Sequence, residues 1–148
     1  MKKLIIAFVI LLGITSCTKE NLTRVEVPTI QLLSEFGGYT TTVPINTTVT
    51  SKVRGYLKEG TTISKLNITI TKRVNNTQLV VTNYSTTSFQ LSVIGSFSSA
   101  YPELRNFDLS FQLYSPLVTT GEYTYTVNVV TSDGYTSTNV QCGPYTYF

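Results

Sequence analysis

Two cysteines, two aspartates and six glutamates carry the thiol and carboxylate chemistry of this 148-residue sequence, which has no histidine and no tryptophan. Without an imidazole, a serine or cysteine nucleophile lacks its usual base. "IGSF" at 94–97 has one glycine and does not complete a G-x-S-x-G elbow. Zinc sites need clustered Cys and His, and Cys17 and Cys142 lie at opposite ends of the chain. Calcium sites need several acidic ligands. There is no Asp-x-Asp, and Asp133 sits in "SDG", where the side chain serves its own turn. Glycoside hydrolysis needs two carboxylates at a set separation. Glu20, Glu35, Glu59, Glu122 and Asp133 fall at tethers or turns and Glu103 in a loop, where charges are solvated. The reading is a non-enzyme with no catalytic residues, no metal and no cofactor.

The thiol at Cys17 stands in a distinctive place. Lys2 and Lys3 are followed by an uncharged run, "LIIAFVILLGI", from Leu4 to Ile14. A spanning helix needs about 20 apolar residues, so the run is too short to cross. A positive start, a short apolar middle and small residues before a break make a secretory signal peptide. The order Ile14, Thr15, Ser16, Cys17 resembles the lipobox of bacterial lipoproteins. That resemblance implies cleavage between Ser16 and Cys17 and a diacylglyceryl group on the Cys17 thiol. It makes residues 1–16 a lipoprotein signal peptide and residues 17–24 a lipidated cysteine with its tether. Two chains anchor stably where one does not. The tether "TKENLTR" spans at most about 25 Å, so the domain is expected close to a bilayer. Thr18 follows the cysteine where many inner-membrane lipoproteins have Asp. Lys19–Glu20 resembles the surface-export signals of Bacteroidetes lipoproteins. The expected location is the outer membrane, facing the periplasm or the cell surface.

Removing residues 1–16 leaves 132 residues, enough for one domain with its own core. Lys2 and Lys3 leave with the signal, so nine Lys/Arg then face eight Asp/Glu, a net charge near +1. No basic cluster remains, which excludes nucleic acid as a partner. With Cys17 acylated, Cys142 has no intramolecular partner and is expected as a small, partly buried side chain near the last strand.

The rest of the chain reads as strand. Leu66, Ile68 and Ile70 alternate with Asn67, Thr69 and Thr71. Phe89, Leu91 and Val93 alternate with Gln90 and Ser92. Phe107, Leu109, Phe111 and Leu113 alternate with Asp108, Ser110 and Gln112. Tyr123, Tyr125, Val127 and Val129 alternate with Thr124, Thr126 and Asn128. One buried and one solvated face is the mark of antiparallel sheet. Further strands are expected at 25–33, 38–45, 48–57, 77–84 and 135–141, with turns such as "VNN" at 74–76 and "SDG" at 132–134 between them. "SSAYPELRN", 98–106, is read as one helical turn. About nine short strands indicate a sandwich or barrel.

"TTGEYTYTVNVVTSDGYTST" resembles the last hairpin of Ig-like and cadherin-like domains, and "SKVRGYLKEGTTISKLNITI" its partner half. With "LSFQLYSP" they resemble the Ig/cadherin-like domains of Bacteroidetes surface lipoproteins. The resemblance implies an all-β, antiparallel Ig/cadherin-like sandwich of about 7–9 strands over residues 25–148. Tyr123 is either a corner tyrosine bonded to backbone or an ordinary core aromatic. Such a domain binds through loops, edges or a face. Tyr101, Tyr135, Tyr145 and Tyr147 are the candidate ligand contacts, since tyrosine combines apolar area with a polar tip. The expected function is a non-enzymatic binding or scaffold module held to the membrane by lipid, with a glycan or an envelope or surface protein as partner. The alternative is an adhesin or assembly subunit that pairs through an exposed edge strand.

Overall fold

The computed structural model describes residues 27–36, 42–114 and 119–148. The residues read as signal peptide and tether, 1–24, with Ser16 and Cys17, lie outside them. The described residues form nine strands and no helix: β1 (Ile30–Glu35), β2 (Thr42–Val43), β3 (Thr48–Lys58), β4 (Ile63–Val74), β5 (Thr77–Thr86), β6 (Phe89–Ser98), β7 (Tyr101–Tyr114), β8 (Gly121–Thr131) and β9 (Val140–Tyr147). They make a two-sheet β-sandwich. One sheet has the order β1-β3-β7-β6 and the other β2-β9-β8-β4-β5. All pairings are antiparallel except β2 with β9. The four-stranded order is the A-B-E-D sheet of immunoglobulin domains.

The alternation in the sequence places the core. Leu66, Ile68 and Ile70 of β4 are fully buried, as are Phe107, Leu109 and Leu113 of β7 and Tyr125, Val127 and Val129 of β8. Each such side chain stabilises the fold by about 1.5–3 kcal/mol relative to exposure. The polar positions between them pair across strands, Thr69 with Thr126 and Thr71 with Thr124. On the same outer face, Ser85 donates to Asn67 (2.7 Å), Asn67 to Asn128 (2.9 Å) and Asn128 to Asn139 (2.9 Å), tying β5, β4 and β8 to the loop before β9.

Tyr123 is a corner tyrosine. It is buried at the start of β8, and its hydroxyl donates to the Thr119 carbonyl at 2.9 Å. Asn75 and Asn76 both have positive φ, 48° and 62°, the geometry of a two-residue hairpin turn that asparagine tolerates.

Three expectations need correction. Residues 98–106 hold no helical turn. Ser99 and Ala100 make a tight hairpin, and Tyr101 to Asn106 belong to β7, because Leu104, Arg105 and Asn106 pair with Lys58, Leu57 and Tyr56 of β3. This long-range pairing overrides the local turn residues. The last strand is Val140–Tyr147 and not 135–141, because Tyr135 and Ser137 are instead held by hydrogen bonds to Thr131 and Val129. Finally, Leu91 and Val93 of β6 are not buried, although they sit opposite the buried Leu109 and Phe107. They share the inner layer with those residues, yet among the described residues they stay 39% and 54% exposed.

Candidate functional site

The residues read as binding candidates do not converge. Tyr135 is 55% exposed in the turn after β8. Tyr101 is half-buried at the start of β7. Tyr145 and Tyr147 are core residues at 2% and 1% exposure, so they offer no surface to a ligand. The Tyr147 hydroxyl meets that of Tyr125 at 2.8 Å, and its ring stands edge-on to Tyr123. Their alternation about Thr146 is the ordinary period of a strand, now seen to face inward.

A polar cluster forms around Glu35, whose place in the sequence suggests only a solvated turn charge. At the end of β1 its carboxylate accepts from Ser51 Oγ (2.6 Å), Tyr145 OH (2.6 Å) and the Gly143 N–H (2.9 Å). It thereby clasps the edge of the four-stranded sheet to β9 of the other. Cys142 lies fully buried beside it. Burial pushes the Cys142 thiol up to about 12, with Ser51 and Glu35 contributing smaller effects. The thiol is therefore protonated at neutral pH and is no nucleophile. Burial, then the Glu35 hydrogen bond, also raises Tyr145 well above the ordinary phenol value. The arrangement is suited to holding strands together and not to proton transfer. Among the described residues no three His, Cys, Asp or Glu side chains gather in a metal-holding group.

The least protected surface among the described residues is one side of the sandwich. β5 is the last strand of its sheet and β6 the last of the other. Only Thr87 and Ser88 separate them. Contacts of Leu32 with Thr138 and of Glu35 with Gly143 set β1 parallel to β9 across the two sheets. Three antiparallel steps in each sheet then make β5 and β6 run the same way, so the chain passes from one sheet into the other without reversing. Residues 77–98 thus form a continuous margin shared by both sheets, with no further strand beside it among the described residues. No charged residue occurs between Arg73 and Glu103, and no proline before Pro102. Charges, prolines and short strands are the usual protection of an edge. The opposite side of the molecule has them: β2 is two residues long and followed by Pro44, and β1 carries Glu35 and a bulge between Leu32 and Ser34. On the unprotected side Leu79, Val80 and Val81 of β5 and Leu91, Val93 and Ile94 of β6 are all exposed, Val80 by 66%. The sequence signal for this margin is the long charge-free stretch itself.

A second, polar feature lies on the outer face of the four-stranded sheet. A shallow hollow of about 330 Å³ is lined by Phe36, Lys52, Gln90, Ser92, Asp108 and Ser110. Asp108 is held by a two-pronged pair with Arg54 (2.8 and 3.0 Å), which raises the arginine pKa through that hydrogen bond, and Arg54 stacks on Phe36 at 4.5 Å.

No protein-family profile matches the chain, and no curated protein matches it. Among solved structures, astrotactin-2, described as a vertebrate-specific, perforin-like membrane protein involved in neuronal development, is similar over 65% of this chain at 15% identity and a TM-score of 0.34. The match spans 19% of that protein's chain. A likeness this distant carries no argument about function.

Proposed function

We propose that the chain is a lipid-anchored lipoprotein of a bacterial outer membrane whose sandwich is a non-enzymatic protein–protein module, working through the margin formed by β5 and β6. The anchor rests on the sequence alone, on Lys2–Lys3, the apolar run and Cys17. The observation that carries the binding mode is the uncharged, proline-free margin with six exposed aliphatic side chains. An extended segment added to such an edge gains backbone hydrogen bonds and covers those side chains. Proteinase digestion of intact cells, with Cys17→Ala as control, tests the location: loss of the protein without lysis puts the domain outside, and protection until lysis puts it in the periplasm. A photoreactive side chain at Val80 or Val93 tests the margin. A covalent adduct at either position, absent from the same probe at Ser132 in the β8–β9 turn, is the expected result. Its absence at both positions refutes the reading.

Glycan binding is a second reading, favoured by the hollow that gathers a carboxylate, an ammonium, amide and hydroxyl groups beside Phe36. Retarded migration in gels containing polysaccharide, lost in Asp108→Ala, is its test. Of the four tyrosines, Tyr135 is exposed and Tyr101 half-buried, while Tyr145 and Tyr147 are buried.

A further inference from the structure

The margin's regular apolar portion is the first half of β6, since the unbroken run of β5, Thr82 to Thr86, is mostly polar. Phe89 to Val93 pair with β7 in unbroken register, Phe89 opposite Phe111, Leu91 opposite Leu109 and Val93 opposite Phe107. Beyond Val93 the strand is broken by register shifts at Val93/Gly95 and Ser96/Ser98, and such bulges twist an edge away from further pairing. On β5 the corresponding shift falls at Ile70/Thr71 of its partner strand, between Val80 and Thr82, inside its apolar portion. β6 therefore offers five consecutive residues in extended, regular geometry with one side unpaired among the described residues.

Those five residues, "FQLSV", are complementary to themselves. Laid antiparallel about Leu91, Leu91 meets its own copy. Phe89 meets Val93, and Gln90 meets Ser92. Every apolar side chain then faces an apolar one on the inner layer, and each amide faces a hydroxyl on the outer face. Directly opposed residues of an antiparallel pair have Cβ atoms about 4.5–5.5 Å apart, so these contacts are real ones. In a two-fold contact a charge near the axis faces its own like, which penalises the pairing. A heterologous partner would instead be selected by complementary charge. The edge has no charge with which to select one, and Leu91 and Val93, 39% and 54% exposed among the described residues, are inner-layer side chains. We infer that β6 takes the β6 strand of a second copy of this chain, antiparallel and centred on Leu91, joining two four-stranded sheets into one of eight strands. This rests on the edge-binding reading above and names the occupant of that edge.

The test uses the full chain in the membranes of the cells that make it. Leu91→Cys, oxidised with copper phenanthroline, is expected to run as a disulfide-linked dimer on non-reducing gels. Ser85→Cys, exposed on β5, and the unaltered chain, whose Cys142 is buried, are expected to remain monomers. Adding Val93→Lys to Leu91→Cys is expected to reduce the dimer at least tenfold while an unchanged circular dichroism spectrum shows the fold intact, since Val93 is an exposed position. A monomeric Leu91→Cys overturns the inference. If a photoreactive group at Val93 then joins a different protein, edge binding stands and the second copy is wrong. If it joins nothing, and Val80 joins nothing, edge binding falls too. A Leu91→Cys dimer that survives Val93→Lys overturns the register centred on Leu91.

Discussion

Replacing Glu35 by alanine should cost the fold about 3–5 kcal/mol, far more than an ordinary change at the end of an edge strand. Three donors converge on the carboxylate: the Ser51 hydroxyl at 2.6 Å, the Tyr145 hydroxyl at 2.6 Å and the Gly143 N–H at 2.9 Å. Ser51 and Tyr145 are each 2% exposed, so water cannot readily replace the lost acceptor. A buried donor left unmatched costs about 1–3 kcal/mol, and two or three of them give the figure above. Glu35→Gln keeps the shape and one acceptor oxygen but turns an amide N–H₂ toward donors. It should cost less, about 1–2 kcal/mol. Urea unfolding reads this directly: at about 2 kcal/mol per molar, the alanine variant's midpoint should fall by roughly 1.5–2.5 M. A double-mutant cycle with Tyr145→Phe should give a coupling of at least about 1 kcal/mol, the range for groups in one network. A Glu35→Ala loss below about 0.5 kcal/mol, or strict additivity with Tyr145→Phe, would refute the clasp.

Tyr123→Phe removes the hydroxyl bonded to Thr119 and should lower stability by about 1 kcal/mol in the same assay. Gly55→Ala should be severe, because a Cβ there would meet the Gln31 carbonyl oxygen and stand 2.8 Å from the Phe107 ring; loss of soluble, folded protein on expression checks it. The domain should weaken in alkali. An unfolded Cys142 releases its proton above its ordinary value of 9.0, whereas the folded thiol holds its proton until about 12. The folded state then binds more protons, so stability is full below about pH 9 and falls above it by up to about 1.4 kcal/mol per pH unit. Tyr145 adds the same trend above its ordinary 10.0. Urea midpoints at pH 8, 10 and 11 measure the slope, and Cys142→Ala should flatten its first part. For the same reason, Cys142 should resist thiol reagents at pH 7.5 in the folded protein and react once urea is added.

Much of the sandwich is legible in the sequence because its central strands are amphipathic over many residues. The alternations at Leu66–Ile70, Phe107–Leu113 and Tyr123–Val129 are the buried faces of β4, β7 and β8. Alternation reports which side chains share a face and is silent about whether anything covers that face. Leu91 and Val93 have the right period and remain exposed, because β6 is the last strand of its sheet. Tyr145 and Tyr147 show the reverse case: a C-terminal position invites an exposed reading, yet pairing of β9 with β8 carries them inward. Glu35 was unreadable for a related reason. Its partners are 16, 108 and 110 residues away along the chain, and no local pattern encodes them.

The parallel pairing of β2 with β9 sets how the domain bears load. Thr42 lies beside Thr146 and Val43 beside Tyr147, and the contact continues with the Ile45 N–H on the Phe148 carbonyl (3.0 Å) and the Phe148 N–H on the Val43 carbonyl (3.1 Å). Tension applied between the two ends of the sandwich drags these neighbours past each other along their common axis. Their hydrogen bonds are then strained together, in shear, and cannot be peeled open one after another. Val43 and Tyr147, both buried, must be drawn out of the core before the strands part. A tether at one end and a pull at the other would thus meet the sandwich in its mechanically strong direction.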